Sequence, residues 1–176
     1  MNILENNRIL LRALEPEDIH FLFKTENNTD LWEVSETIKP FSRYILKKYL
    51  ENSHLDIFEA KQLRLVIEKK DTEEMIGMID LFDYHPKYQR AGIGILILDK
   101  FQDQGYAKES LEIFINYAFS VIGLHQIYAD IPLNNKKSIS LFERMNFIKT
   151  GIKKDWIKKG NIYTDVAFYQ LINEFN

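Results

Sequence analysis

The segment Gln102-Asp103-Gln104-Gly105-Tyr106-Ala107-Lys108 carries the residue types of an anion site made from main chain. An apolar run, Ile93 to Leu98, precedes it. A helical pattern follows from Tyr106 or Ala107, with Ala107, Leu111, Phe114, Ile115, Ala118 and Ile122 on one face. The spacing predicts strand, tight turn and helix. The first turn of a helix leaves N–H groups without an intrahelical acceptor, and these groups and the macrodipole both favour negative charge. Gly105 lets the backbone approach a ligand closely, and small Ala107 keeps bulk away. Ordinary α/β crossovers share this pattern, so it names no ligand by itself.

Carboxylates are the second source of chemistry. Asp80 lies inside the apolar run Met75 to Tyr84, where a charge is costly unless it is paired or faces a cleft. A solvent-facing strand position is the alternative. Strand alternation puts Asp83 on the opposite face from Asp80. Asp130 stands near the end of the run His125 to Ile131, just ahead of Asn135. Glu33 and Glu36 fall in the polar stretch Asn27 to Pro40, where an exposed glutamate is the ordinary case. The absence of cysteine excludes disulfides, a thiolate zinc site and a Cys nucleophile. No Ser-His-Asp pattern and no metal site is expected.

The elements that must position these groups form one domain, residues 1–176, with a hydrophobic fraction of 45% and an aromatic fraction of 13%. The net charge of -3 argues against a general nucleic-acid binder. No signal-like segment and no membrane-length apolar run is present, so the expectation is a soluble, cytoplasmic protein. Arg8 to Arg12 reads as a strand, and Pro16-Glu17-Asp18 as a helix start. A second helix is expected from Ser42 to about Asn52. Leu63 to Glu68 and Met75 to Tyr84 read as strands around a charged turn, with Gly77 marking a bulge or a close approach. Asn135 suits an N-cap for a helix running to about Asn146, with Ser138, Phe142 and Met145 on one face. Ile148 to Trp156 and Ile162 to Leu171 read as a hairpin around Gly160-Asn161. The result is an α/β (α+β) fold, a mixed and mainly antiparallel sheet with helices on both faces.

Three of these segments resemble a known family. Gln102 to Ala107 resembles the Q/R-x-x-G-x-G/A signature of the GNAT N-acetyltransferases. Asn135-Lys136-Lys137-Ser138, Phe142 and Asn146-Phe147 resemble that family's N-x-x-A/S-x-x-x-Y-x-x-x-G-F. The opening Arg8-Ile9-Leu10-Leu11-Arg12 with Pro16-Glu17-Asp18 is similar to the branch of ribosomal-protein N-terminal and spermidine acetyltransferases. The resemblance implies acetyl-CoA as co-substrate. Its diphosphate would sit on the turn Gln102, Asp103, Gln104, Gly105, Tyr106, Ala107 and Lys108. Its pantetheine arm would lie on the main chain of Ile95, Leu96 and Ile97 and on Asn135, with Ser138 and Phe142 on the helix beside it. Glu33 and Glu36 would hold a cationic acceptor. Relatives acetylate polyamines, small amines and protein N-termini, and often pair, so a homodimer or larger homo-oligomer is implied.

The residues depart from the family pattern at three points. Phe142 stands where many relatives have the Tyr proposed to protonate the departing thiolate. Asn146 replaces the usual Gly, and Asn is the next-best residue for a left-handed helix end. Gly92 stands where the spermidine enzymes tend to carry an acid. Direct transfer needs a base, because an amine of pKa about 10.4 is free base only on the order of once in a thousand at neutral pH. Asp80 is the first candidate and Asp130 the second. The alternative reading is a catalytically weak acetyl-CoA-binding or sensor domain, and Phe142 is its support.

Overall fold

A computed structural model describes residues 2–32 and 37–174. Among them, seven strands form one sheet: β1 (Ile9–Arg12), β2 (Leu63–Lys69), β3 (Met75–His85), β4 (Arg90–Ile97), β5 (Gln126–Pro132), β6 (Ile148–Lys159) and β7 (Ile162–Ile172). Their spatial order is β1-β2-β3-β4-β5-β7-β6. Every neighbouring pair is antiparallel except β4 and β5. The helices are α1 (Ile19–Glu26), α2 (Arg43–Glu51), the single turn α3 (Ile57–Ala60), α4 (Tyr106–Tyr117) and α5 (Lys136–Arg144).

The strand period divides the core between two faces. Val66 and Met78 pack on one face with Leu22 of α1 and with Leu46 and Leu50 of α2. Ile67, Ile79 and Ile93 face the other way, toward Leu111, Phe114 and Ile115 of α4 and Phe142 of α5. Each helix buries the stripe that its 3.6-residue spacing provides. Ser42 caps α2, its hydroxyl accepting from the Ile45 N–H at 3.2 Å. Asn146 ends α5 with φ 64°, and the Phe147 N–H reaches back to the Phe142 carbonyl at 3.1 Å. That is the left-handed helix end expected where a Gly was replaced.

Buried charge fixes the entry to α1. Arg12 donates to both carboxylate oxygens of Asp18, at 2.8 and 3.0 Å, and its Nε donates to Glu68. Asp18 is 3% exposed and also accepts from the Glu15 N–H. One expectation is corrected and one is met. The α-helix after Gly105 stops at Tyr117, and a π-turn, Ala118–Ile122, completes it. Gly77 marks both a bulge and a close approach: the β2–β3 register shifts beside it, and a Cβ there would lie 2.1 Å from the Leu96 carbonyl oxygen. Among the described residues, no helix is long and apolar enough to cross a membrane.

Candidate active site

The parallel pair β4–β5 is short. Arg90, Ala91 and Gly92 pair with Gln126, Ile127 and Tyr128, and there the pairing ends. From Ile93 onward β4 stays with β3, while β5 continues along β7. The sheet therefore forks. The Leu98 N–H donates to the Ile76 carbonyl at 2.9 Å. Antiparallel ladders alternate, so Leu96 and Gly94 also turn their main-chain groups to β3, and Ile95 and Ile97 turn theirs into the fork. Of the three strand positions expected to offer main chain, Ile95 and Ile97 face the fork and Leu96 does not.

The turn after β4 lies at the open end of the fork. One 3-10 turn, Asp99–Phe101, is followed by Asp103 at φ 59° and Gly105 at φ 88°. The Gln102 N–H donates to the Asp99 carbonyl at 3.2 Å. Among the described residues, the N–H groups of Asp103 through Lys108 donate to no protein acceptor. These are the orphan donors of a helix start, and Gly105 at positive φ turns the chain into it. Arg8, just ahead of β1, braces the turn: it pairs with Glu109, donates to the Gln104 carbonyl at 3.2 Å, and lies 4.4 Å over the Tyr106 ring.

Fork and turn border one cavity of about 1450 Å³. Ile95, Leu96, Ile97, Gln102, Asp103, Gly105, Tyr106, Ala107 and Lys108 all border it, as do Asn135 and Ser138. Asn135 caps α5 through its side-chain oxygen, 3.1 Å from the Ser138 N–H. Three expected ligands have other duties. The Gln102 side chain donates to the Ile97 carbonyl and to Asp99, both at 3.1 Å, and so clasps the strand to the turn. The Gln104 side chain donates to the Lys100 carbonyl at 2.9 Å. Phe142 is 4% exposed, with its ring edge-on to Phe147 at 5.0 Å; it packs in the core, and its neighbour Leu141 borders the cavity instead. Helical spacing showed Phe142 on a buried face but not which side of α5 met the fork.

Asp80 borders the same cavity, on the α1–α2 side of the sheet. Its Oδ2 accepts from Gln62 and from Arg64, both at 3.3 Å. Arg64 also donates to Glu26 at 2.7 Å. Among the described residues, the other oxygen of Asp80 accepts no hydrogen bond. A Cβ on Gly94 would stand 2.8 Å from that oxygen, so glycine keeps the space in front of it open. Asp83 does not face away from Asp80 as alternation predicts. It takes φ 49° at a register shift, which returns it to the same cavity. Asp130 also borders the cavity but is held by Lys153, whose Nζ lies 2.7 and 2.8 Å from its two oxygens. Glu33 and Glu36 lie outside the described residues.

Two residues of this site escaped sequence reasoning. Glu26 sits in the last turn of α1, where the macrodipole disfavours a carboxylate, and that conflict was the available signal. Tyr128 is the last β5 residue paired with β4, its ring edge-on to Phe82 at 6.1 Å. Burial, then the charges of Asp83 and Asp130, push its phenol up to about 12.

The profile of the acetyltransferase (GNAT) domain matches residues 8–148. The chain belongs to the GNAT acetyltransferase family. It is an acyl-CoA-dependent N-acetyltransferase whose co-substrate is acetyl-CoA. The chain is 27% identical over 146 residues to spermidine N(1)-acetyltransferase of Vibrio cholerae, covering 83% of this chain and 82% of that one. It is 26% identical over 182 residues to the putative ribosomal N-acetyltransferase YdaF of Bacillus subtilis, covering 95% and 92%. Among solved structures, the V. cholerae spermidine N-acetyltransferase in complex with CoA and spermine shares the fold, with a TM-score of 0.85, 24% identity, and coverage of 95% of this chain and 96% of that one. A dodecameric structure of the V. cholerae enzyme matches with a TM-score of 0.79 and 26% identity, covering 95% of each chain.

Proposed function

We propose that this GNAT enzyme moves the acetyl group of acetyl-CoA directly to a primary amine of a small cationic acceptor of the polyamine class. The observation that carries the reading is the single cavity joining the fork, the free amides of the turn and the open oxygen of Asp80. The names of the spermidine-acetylating relatives support the acceptor class. So do the carboxylates of Glu26, Asp80 and Asp83, which all border the cavity.

In this reading the diphosphate rests on the N–H groups of Asp103 through Lys108, and the pantetheine arm runs along Ile95 and Ile97. The acceptor nitrogen loses a proton through water to Asp80 and attacks the thioester carbon. The carbonyl oxygen gains charge against an N–H of the fork, a preorganised donor that needs no rearrangement. The C–S bond then breaks, its electron pair stays on sulfur, and the remaining ammonium proton of the acceptor reaches the sulfur through water. A thiol of pKa about 8.5 is an adequate leaving group, so no hydroxyl at residue 142 is needed. A second reading, a weakly active acetyl-CoA sensor, draws on Phe142, but that ring is buried in the core and does not border the cavity, so its lack of a proton says nothing against turnover.

Thiol release from acetyl-CoA across a panel of mono-, di- and polyamines and a peptide N-terminus separates these readings. Turnover that saturates with a di- or polyamine supports the enzyme. Binding of acetyl-CoA without amine-dependent thiol release supports the sensor, and saturation by the peptide alone refutes the acceptor class. A homo-oligomer is the assembly that the dodecameric relative supports, and light scattering of the purified chain tests it.

A further inference from the structure

Lys153 already seats a primary ammonium in the cavity. Its Nζ lies 2.7 Å from one oxygen of Asp130 and 2.8 Å from the other. The same nitrogen stands 4.9 Å from the centroid of the Trp156 ring and 5.3 Å from that of Phe168. All four residues border the cavity that holds the fork. Phe168 is the cross-strand partner of Asp130. The β6 register shifts between Lys153 and Ile157, and Asp155 takes φ 50° within that bulge. Two ring faces and a carboxylate around one point are the chemistry that recognises an ammonium group.

Building on the reading of an amine acceptor, we propose that Asp130, Phe168 and Trp156 form the seat for the acceptor's second ammonium, which Lys153 fills as a tethered competitor. The position fits that role. Asp130 lies two residues beyond Tyr128, the last β5 residue before the fork. Two strand residues span about 7 Å, so the seat stands about one short diamine's length from the mouth of the fork. The Lys153–Asp130 pair is displaceable: both side chains are 31% exposed, and pairs that open to water hold only weakly. A monoamine has no second charge to place there, so Lys153 raises the KM of diamines selectively.

The test compares 1,4-diaminobutane with butylamine as acceptors, by thiol release at saturating acetyl-CoA, in the intact chain and in Lys153→Met. The ratio of diamine KM to monoamine KM should fall about fivefold in Lys153→Met, with the diamine kcat little changed. Asp130→Asn should raise the same ratio above its starting value. An unchanged ratio in both variants overturns the seat. Calorimetric titration of 1,4-diaminobutane into the CoA-bound protein reads the seat without turnover. Tighter diamine binding by Lys153→Met supports it even if no amine is acetylated, the result that would defeat the enzymatic reading alone. Equal binding by both proteins refutes it.

Discussion

Replacing Asp80 with Asn tests the proposed proton path with little disturbance to the fold. The two side chains have the same shape. The Asn carbonyl oxygen can take the place of Oδ2 and accept from Gln62 and Arg64, which now approach at 3.3 Å. Arg64 keeps its shorter bond to Glu26, 2.7 Å. The lost ion pair is largely buried, its side chains 22% and 19% exposed, so its removal costs about 1–3 kcal/mol, limited by Glu26, which still pairs with Arg64. The amide NH2 then occupies the place of the open oxygen. It is a donor, and it cannot take a proton from an ammonium or from water. A positioned general base contributes about 10²- to 10⁴-fold, or about 2.7–5.5 kcal/mol of barrier. The assay is thiol release as a function of amine concentration and pH, with the melting temperature as control. The expectation is a kcat lower by that factor, a KM for acetyl-CoA near its starting value and a melting temperature lowered no further than the lost ion pair implies. A kcat within threefold of the unaltered enzyme at every pH, in a folded variant, would remove Asp80 from the proton path.

Three further outcomes follow from the same structure. Arg12→Ala leaves the buried carboxylate of Asp18 without its guanidinium, and denaturant unfolding should show a loss of about 3–5 kcal/mol. Gly94→Ala sets a Cβ 2.8 Å from the open oxygen of Asp80, so kcat should fall well below the original while coenzyme A binding, read calorimetrically, stays within a few-fold. The Tyr128 phenol is raised from 10.0 to about 12, so between those pH values the unfolded chain ionises this group and the folded chain does not. Folded stability should therefore decline as pH rises through that window, and Tyr128→Phe should lessen the decline in urea melts.

Local chemistry was the legible part of this chain. The turn at Gly105, the cap at Asn135 and the left-handed end at Asn146 all follow from what single residues permit, and the sequence carries them openly. The fork was legible only by resemblance. Ile93 to Ile97 reads as core, because the working groups of that stretch are main chain and no side chain reports them. The facing of Asp83 was misread because strand alternation assumes an unbroken ladder, and a positive φ at a bulge reverses it. Phe142 was placed by motif spacing, whereas its orientation depends on how α5 rolls against Phe147. The Glu26–Arg64–Asp80 cluster joins one helix and two strands, and only tertiary packing brings it together.

The most direct measurement is a titration of the 15N-labelled protein with coenzyme A, followed through its backbone amide resonances. The largest shifts are expected at Asp103 through Lys108, whose N–H groups have no acceptor among the described residues, and at Ile95 and Ile97 in the fork. Saturable shifts confined to other surfaces, with these amides unmoved, would contradict this placement of coenzyme A.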